Sequence, residues 1–203
     1  MPVNAPGILV VSPTLSINTV GELTALAKAK PGTLNYASAQ SGGSGHLTAE
    51  LFKAMAGINI VRIAYKGAVL AIPDVMSGQV QMMFENAAAM LPLIKQGKMK
   101  GLAVTSLQPT PLVPGLPPVA ATLPGFEMVS VVTMFAPAKT PAAIIKRLNQ
   151  ERVRALNDPE VKERFTNNGG AVVGGSPEEL AAWMKGAMAR MDKVIKDVGI
   201  RVD

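Results

Sequence analysis

Between residues 7 and 106 the sequence alternates short apolar runs with stretches of helical periodicity, and that alternation restricts the fold more than any other feature. "GILVVSP" (7–13) is a compact apolar run closed by Pro13, as expected of a buried strand. Thr19 and Glu22 are spaced as a capping box ahead of "LTALAKAK", and Pro31-Gly32 stops that helix. "LNYAS" follows as a strand, after which Leu47, Leu51, Phe52 and Met55 recur at helical spacing through Gly57. "INIVRIAY", "VQMMFE" and "GLAVTS" read as three further strands, separated by helices over 68–77 and 86–96. The β-α-β-α-β order predicts an α/β fold, with a mainly parallel sheet flanked by helices.

At residue 107 the texture changes. "LQPTPLVPGLPPVAATLPG" holds six prolines in nineteen residues, too many for a helix or a central strand, so it is a connector or an irregular wrap. "FEMVSVVTMFAPA" (126–138) is long enough for an extended strand that passes from one unit to another. Three helix starts follow, at Thr140-Pro141, Asp158-Pro159 and the capping box Ser176-Pro177-Glu178-Glu179. The last helix carries a wide apolar stripe from Leu180 to Ile195. Beside these helices stand only one long strand and the short candidates "AVV" and "IRV", which is little sheet to cover three helices. The expected organisation is therefore a complete α/β lobe over 1–130 and an incomplete second lobe over 131–203, whose remaining strands come from elsewhere.

Composition narrows the function. A chain of 203 residues with 48% hydrophobic content has ample material for a packed core. No segment reaches the roughly 18 to 20 continuous apolar residues of a membrane span, and "MPVNAPGILVVSPTL" lacks a basic start and a small-residue cleavage site. As it stands the sequence reads as soluble and without an export signal. Zero cysteines remove disulfides and thiol catalysis. A net charge of +6 raises the question of nucleic acid, but the twenty Lys and Arg are scattered and only 4% of residues are aromatic. A general pull on small anions is the expected use of that charge.

The stretch richest in chemistry is "NYASAQSGGSGHLTAELF" (35–52), a strand, a Ser/Gly turn and a helix in immediate succession. Such a junction aims backbone N–H groups and a helix N-terminus at one spot, which suits a carboxylate or phosphate. Gly42, Gly43 and Gly45 allow close approach to the backbone, and Ser38, Ser41 and Ser44 offer hydroxyls. An ordinary turn in which Ser44 caps the helix is the competing interpretation. On the binding interpretation Gly42→Val blocks a ligand and spares the helix, whereas Ser44→Ala removes a cap. Gly42-Gly43-Ser44-Gly45-His46 resembles a nucleophile elbow, yet His46 is the only histidine and stands two residues from Ser44, so a Ser-His-acid triad cannot form in one chain. There is no Gly-Lys-Ser/Thr phosphate loop, no cofactor motif and no carboxylate cluster to make His46 a metal ligand, which leaves His46 a hydrogen-bonded structural role.

Four blocks carry a family resemblance: "PGTLNYASAQSGGSGHLTAELFKAMAGINIVRIAYKG", "SGQVQMMFENAAAMLPLIKQGKMKGLAVTS", "PAKTPAAIIKRLNQERVRALNDPEVKERF" and "GGSPEELAAWMKGAMARMDKVIKDVGI". In order, and over nearly the whole chain, they resemble the Bug-type, or tripartite tricarboxylate transporter, periplasmic solute receptors. The resemblance implies lobes of the type II periplasmic-binding-protein kind, a small carboxylate ligand (di- or tricarboxylate, amino acid or aromatic acid), delivery to membrane permease subunits, a periplasmic location and no enzymatic activity. It places Ser38, Ser41, Gly42, Ser44 and His46 on a ligand loop, Tyr65-Lys66-Gly67 on a turn, and Glu85-Asn86 at a strand end facing the ligand. Gln40 where a glycine is usual, "AVLAI" after the turn, and Glu85 for the commoner Asp depart from the family's pattern. Members of the family begin with a signal peptide and most of a first lobe, so the chain is expected to be truncated and to self-associate as a homodimer or larger species through the incomplete lobe. The rival expectation is a relative that keeps the fold as an interaction domain without binding ligand.

Overall fold

The computed structural model of the protein describes residues 3–167 and 169–198. Strand β1 (Val3–Val11) is followed by helix α1 (Val20–Ala29), β2 (Asn35–Ser38), α2 (Ser44–Ala56), β3 (Val61–Ala64), α3 (Ala68–Ser77), β4 (Met82–Asn86), α4 (Ala87–Lys95) and β5 (Lys100–Val104). The strand order is β3-β2-β4-β1-β5. β2 lies parallel to both β3 and β4, while β1 runs antiparallel to its two neighbours, β4 and β5. Four strands thus share a direction, as the helical crossovers between them require. β1 opposes them from inside the sheet, a reversal that alternation alone does not encode.

Period-two patterning divides the core between the two faces of this sheet. Leu9 and Val11 of β1 join Tyr36, Met82 and Phe84 on the face covered by α1 and α2. Ile8 and Val10 join Ala37 and Met83 on the face covered by α3 and α4. α1 starts with the expected capping box, in which Thr19 and Glu22 each satisfy the other's backbone. The proline-rich stretch is a wrap and not a loose connector: Val113 and Val119 are buried, and Phe126 is fully enclosed against the ring edges of Phe52 at a centroid distance of 6.2 Å.

β1 also belongs to a second, small sheet. Val3–Pro6 pairs with β6 (Val129–Val132), and Val3 and Asn4 pair with β7 (Ala171–Val172). At Gly7 the pairing passes to β4, with Gly7 opposite Asn86. The strand expected to start at residue 7 therefore starts at Val3, and its first half supplies the partner the C-terminal sheet lacked. The long strand expected over 126–138 is confined to four residues, and "IRV" lies outside the described residues.

Helices α5 (Ala142–Leu156), α6 (Pro159–Asn167) and α7 (Pro177–Val198) complete the chain. Asp158 Oδ1 caps α6 by accepting from the N–H groups of Glu160 and Val161 at 2.9 and 3.2 Å, and Ser176 with Glu179 forms the capping box of α7. Thr140 does not cap α5: Pro141 occupies the N-cap position, without a side-chain hydrogen bond. α7 touches α2, and Arg190 reaches Glu127 at 3.5 Å. Met134, Phe135, Ile144, Leu148 and Met188 are exposed, which leaves an apolar groove of about 400 Å³ between the 134–138 segment, α5 and the start of α7.

Phe52 anchors α2 to the sheet through Phe84 at 5.5 Å and to the wrap through Phe126. Phe52→Ala is expected to cost about 3–5 kcal/mol, a large part of the roughly 5–15 kcal/mol typical of a domain. Urea unfolding of the two proteins measures it, and a loss below about 1 kcal/mol would contradict this packing.

Candidate ligand-binding site at the ends of the parallel strands

β2 and β4 end at Ser38 and Asn86, and α2 and α3 begin at Ser44 and Ala68, so the strand ends and helix starts face one place. Crevices outside the carboxyl ends of parallel strands are the usual ligand positions of open α/β sheets. A cavity of about 290 Å³ lies there, bordered by Ser38, Ser44, His46, Lys66, Gly67 and Glu85. A second, of about 400 Å³, shares Ser44, Gly45 and Glu85 and continues past Asn86 and Thr105 to Ser130 of β6 and Met191 of α7.

α2 carries the donors. Its N-cap is Gly43, with no side-chain cap, and Ser44 is the first helical residue, so the capping role expected of Ser44 is not present. The N–H groups of Ser44, Gly45 and His46 have no acceptor among the described residues, and all three residues border the smaller cavity. Gly45 eases this placement: a Cβ on it would meet the carbonyl oxygen of Phe84 at 3.0 Å, a tight contact that any larger residue could make only by pushing the helix start off the end of β4.

The turn before α2 is stabilised internally. Gly42 has a φ of 73°, and its N–H donates to His46 Nδ1 at 3.0 Å. That amide is occupied, and a valine at position 42 would be strained, so Gly42→Val cannot separate binding from folding as expected. Ser41 and Gly42 border neither cavity. At the other wall, Glu85 Oε1 accepts from the Asn86 N–H at 2.8 Å, and Asn86 Oδ1 caps α4 by accepting from the Ala88 N–H at 2.8 Å. Tyr65 turns away to donate to Asp74 at 2.5 Å, and burial followed by this hydrogen bond pushes its phenol up to about 12.

Two residues at the site escaped sequence reasoning. Thr105 Oγ1 accepts from the Gly7 N–H at 2.8 Å, at the point where β1 changes sheets. Arg62 of β3 donates from Nε to Ser38 Oγ at 2.7 Å and from its two terminal nitrogens to Ser41 Oγ and the Ala39 carbonyl, both at 2.8 Å. The available signal was a lone cation inside a mainly apolar run, "INIVRIAY".

Burial, and next the Arg62 charge, hold His46 below its ordinary pKa, against an opposing pull from Glu50. The hydrogen bond from Gly42 also requires a deprotonated Nδ1. A group depressed in the folded state stabilises fully above its unfolded pKa, about 6.5 for histidine, and loses that contribution as pH falls through the folded value. NMR titration of His46 should give a midpoint under about 6.5, with the Gly42 amide losing protection from exchange as the ring protonates. A midpoint above the unfolded value would contradict the geometry.

The sequence matches the Tripartite tricarboxylate transporter family receptor over residues 2–200. A UPF0065 protein in the tcbD–tcbE intergenic region of Pseudomonas sp. is 35% identical across 94% of this chain and 57% of its own length, so the chain spans little more than half of that relative. Among solved structures, R. palustris Rpa4515 with adipate superposes with a TM-score of 0.84 at 33% identity, covering 98% of this chain and 67% of the other. The periplasmic binding protein BugD superposes at 0.80 with 28% identity, covering 98% and 68%. Sequence and fold agree: the chain belongs to the tripartite tricarboxylate transporter receptor family, solute-binding proteins of the type II periplasmic-binding-protein fold.

Proposed function

We propose that the chain is a non-enzymatic receptor module that binds a small carboxylate in the periplasm for delivery to the membrane permease subunits of a tripartite transporter. The observation that carries this is the uncapped start of α2, where three N–H groups without an acceptor among the described residues border a cavity at the strand ends. A helix N-terminus with unpaired donors attracts a carboxylate through both the hydrogen bonds and the helix dipole. Adipate in the related Rpa4515 structure agrees with that chemistry. Ser38, Ser44, His46 and Glu85 border the smaller cavity and Asn86 the larger one, whereas Ser41 and Gly42 border neither. Glu85 is an acceptor in an otherwise donor-rich site, suited to a ligand hydroxyl, ammonium or bridging water. A receptor and not a hydrolase is favoured because His46 Nδ1 is taken by the Gly42 N–H and no hydrogen bond joins His46 to Ser44 among the described residues.

One observation favours the second reading, a fold kept for interaction without ligand: Phe135 is 73% exposed and Met134 68%, beside the apolar groove of α5 and α7. Such a surface pairs with a second copy of the chain or aggregates.

Calorimetry against adipate, malate, glutamate and benzoate should show saturable binding of at least one, weakening as salt screens the helix dipole and the net positive charge. Silence across the panel from a folded protein would favour the interaction reading. Light scattering is expected to show a mass above that of one chain at high micromolar concentration, and a clean monomer there would contradict self-association.

A further inference from the structure

We infer that Arg62 is the positioning residue of this carboxylate site, acting on the ligand through Ser38 and the 38–41 turn and not by contact. The inference rests on the receptor reading. Arg62 lies in β3, the edge strand of the main sheet, directly opposite Tyr36 of β2. From there its guanidinium spans the end of β2 and holds three acceptors at once: Ser38 Oγ, Ser41 Oγ and the Ala39 carbonyl. A planar fork with donors in fixed directions can satisfy three such acceptors, and a lysine ammonium on a flexible stem cannot hold the same arrangement.

Arg62 does not border the cavity, but Ser38, Ala39 and Gln40 do. It therefore braces the wall from outside. Ser38 is 4% exposed, and its oxygen already accepts from Arg62 Nε, so its own O–H remains to be donated toward the cavity. A cationic donor on the oxygen polarises that hydroxyl and makes it a stronger donor to an anion. The Arg62 charge also reaches His46, on which it acts to favour the neutral ring. Arg62 has no carboxylate partner among the described residues, so its charge is left for a bound anion to balance through this relay.

The full 203-residue chain and its Arg62→Ala, Arg62→Lys, Ser38→Ala and Arg62→Ala/Ser38→Ala variants test this by adipate and malate calorimetry, amide hydrogen exchange and thermal unfolding. Arg62→Ala is expected to raise exchange at Gly42 and Gly43 and to weaken carboxylate binding about tenfold or more. Arg62→Lys should lose nearly as much although it keeps the charge, and the double variant should bind more tightly than the two single losses multiplied together. Parent-like binding by Arg62→Lys would reduce Arg62 to a distant charge, and multiplicative losses would show that it does not act through Ser38. Either overturns the inference, as does unchanged exchange in Arg62→Ala. If Arg62→Ala fails to fold, Arg62→Lys and an Arg62→Lys/Ser38→Ala double variant take its place in both the binding cycle and the exchange comparison, with the same expected and overturning results. Absence of binding by the folded parent would instead overturn the receptor reading, and with it the ligand part of this inference, while the exchange comparison would still show whether Arg62 holds the turn.

Discussion

Everything in this molecule is arranged around one strand that serves two sheets. β1 runs antiparallel between β4 and β5 over Gly7–Val11, and its first four residues pair with β6 and β7. The transfer happens at Pro6 and Gly7, where a proline brings no N–H to the ladder and a glycine lets neighbours close in. A Cβ at Gly7 would lie 3.2 Å from both the Glu85 carbonyl oxygen and Thr105 Oγ1. Backbone continuity through this point ties the C-terminal helices to the main sheet, and the larger cavity opens beside it, with Gly7, Glu85 and Thr105 all on its wall.

The site is a consequence of that frame. Parallel strands joined by helices bring the start of α2 to the end of β4, and Gly45 lets the two meet without a side chain between them. What results is a cavity bordered both by unpaired N–H groups and by a single carboxylate, Glu85. Around it the polar groups of the turn are already committed, Gly42 to His46 and the two serines to Arg62, so the donors are held in place before any ligand arrives. Preorganisation of this kind limits the conformational entropy lost on binding.

Much of this was legible in the sequence because periodicity and punctuation report local structure directly. The capping boxes at Thr19 and Ser176, the Asp158 cap, the helix over 68–77 and the strand-turn-helix at 35–56 all appear where the residues place them. Direction and partnership were not legible. Nothing in "GILVVSP" distinguishes a strand antiparallel to its neighbours from one parallel to them, and "VNAP" ahead of it gives no sign of a second sheet. At the site, composition pointed to Ser38 and Ser44 and the family resemblance to His46, but neither could show which donors are spent internally. Gly42 and Ser41 were expected at the ligand for close backbone approach and a hydroxyl, and the fold adds that the Gly42 N–H is given to His46 and Ser41 Oγ accepts from Arg62. Arg62 was missed for the opposite reason: it is 21 residues from Ser41 in sequence, and the parallel pairing of β2 and β3 brings them together.

In the proposed receptor a carboxylate is held by the first turn of α2. Backbone amide shifts of the isotopically labelled chain, recorded while adipate is added, test it most directly. Saturable downfield movement is expected of the Ser44, Gly45 and His46 amide protons, which have no acceptor among the described residues. Movement confined to the 134–138 segment and the start of α7, with those three amides unchanged at saturation, would place the ligand in the apolar groove and contradict it.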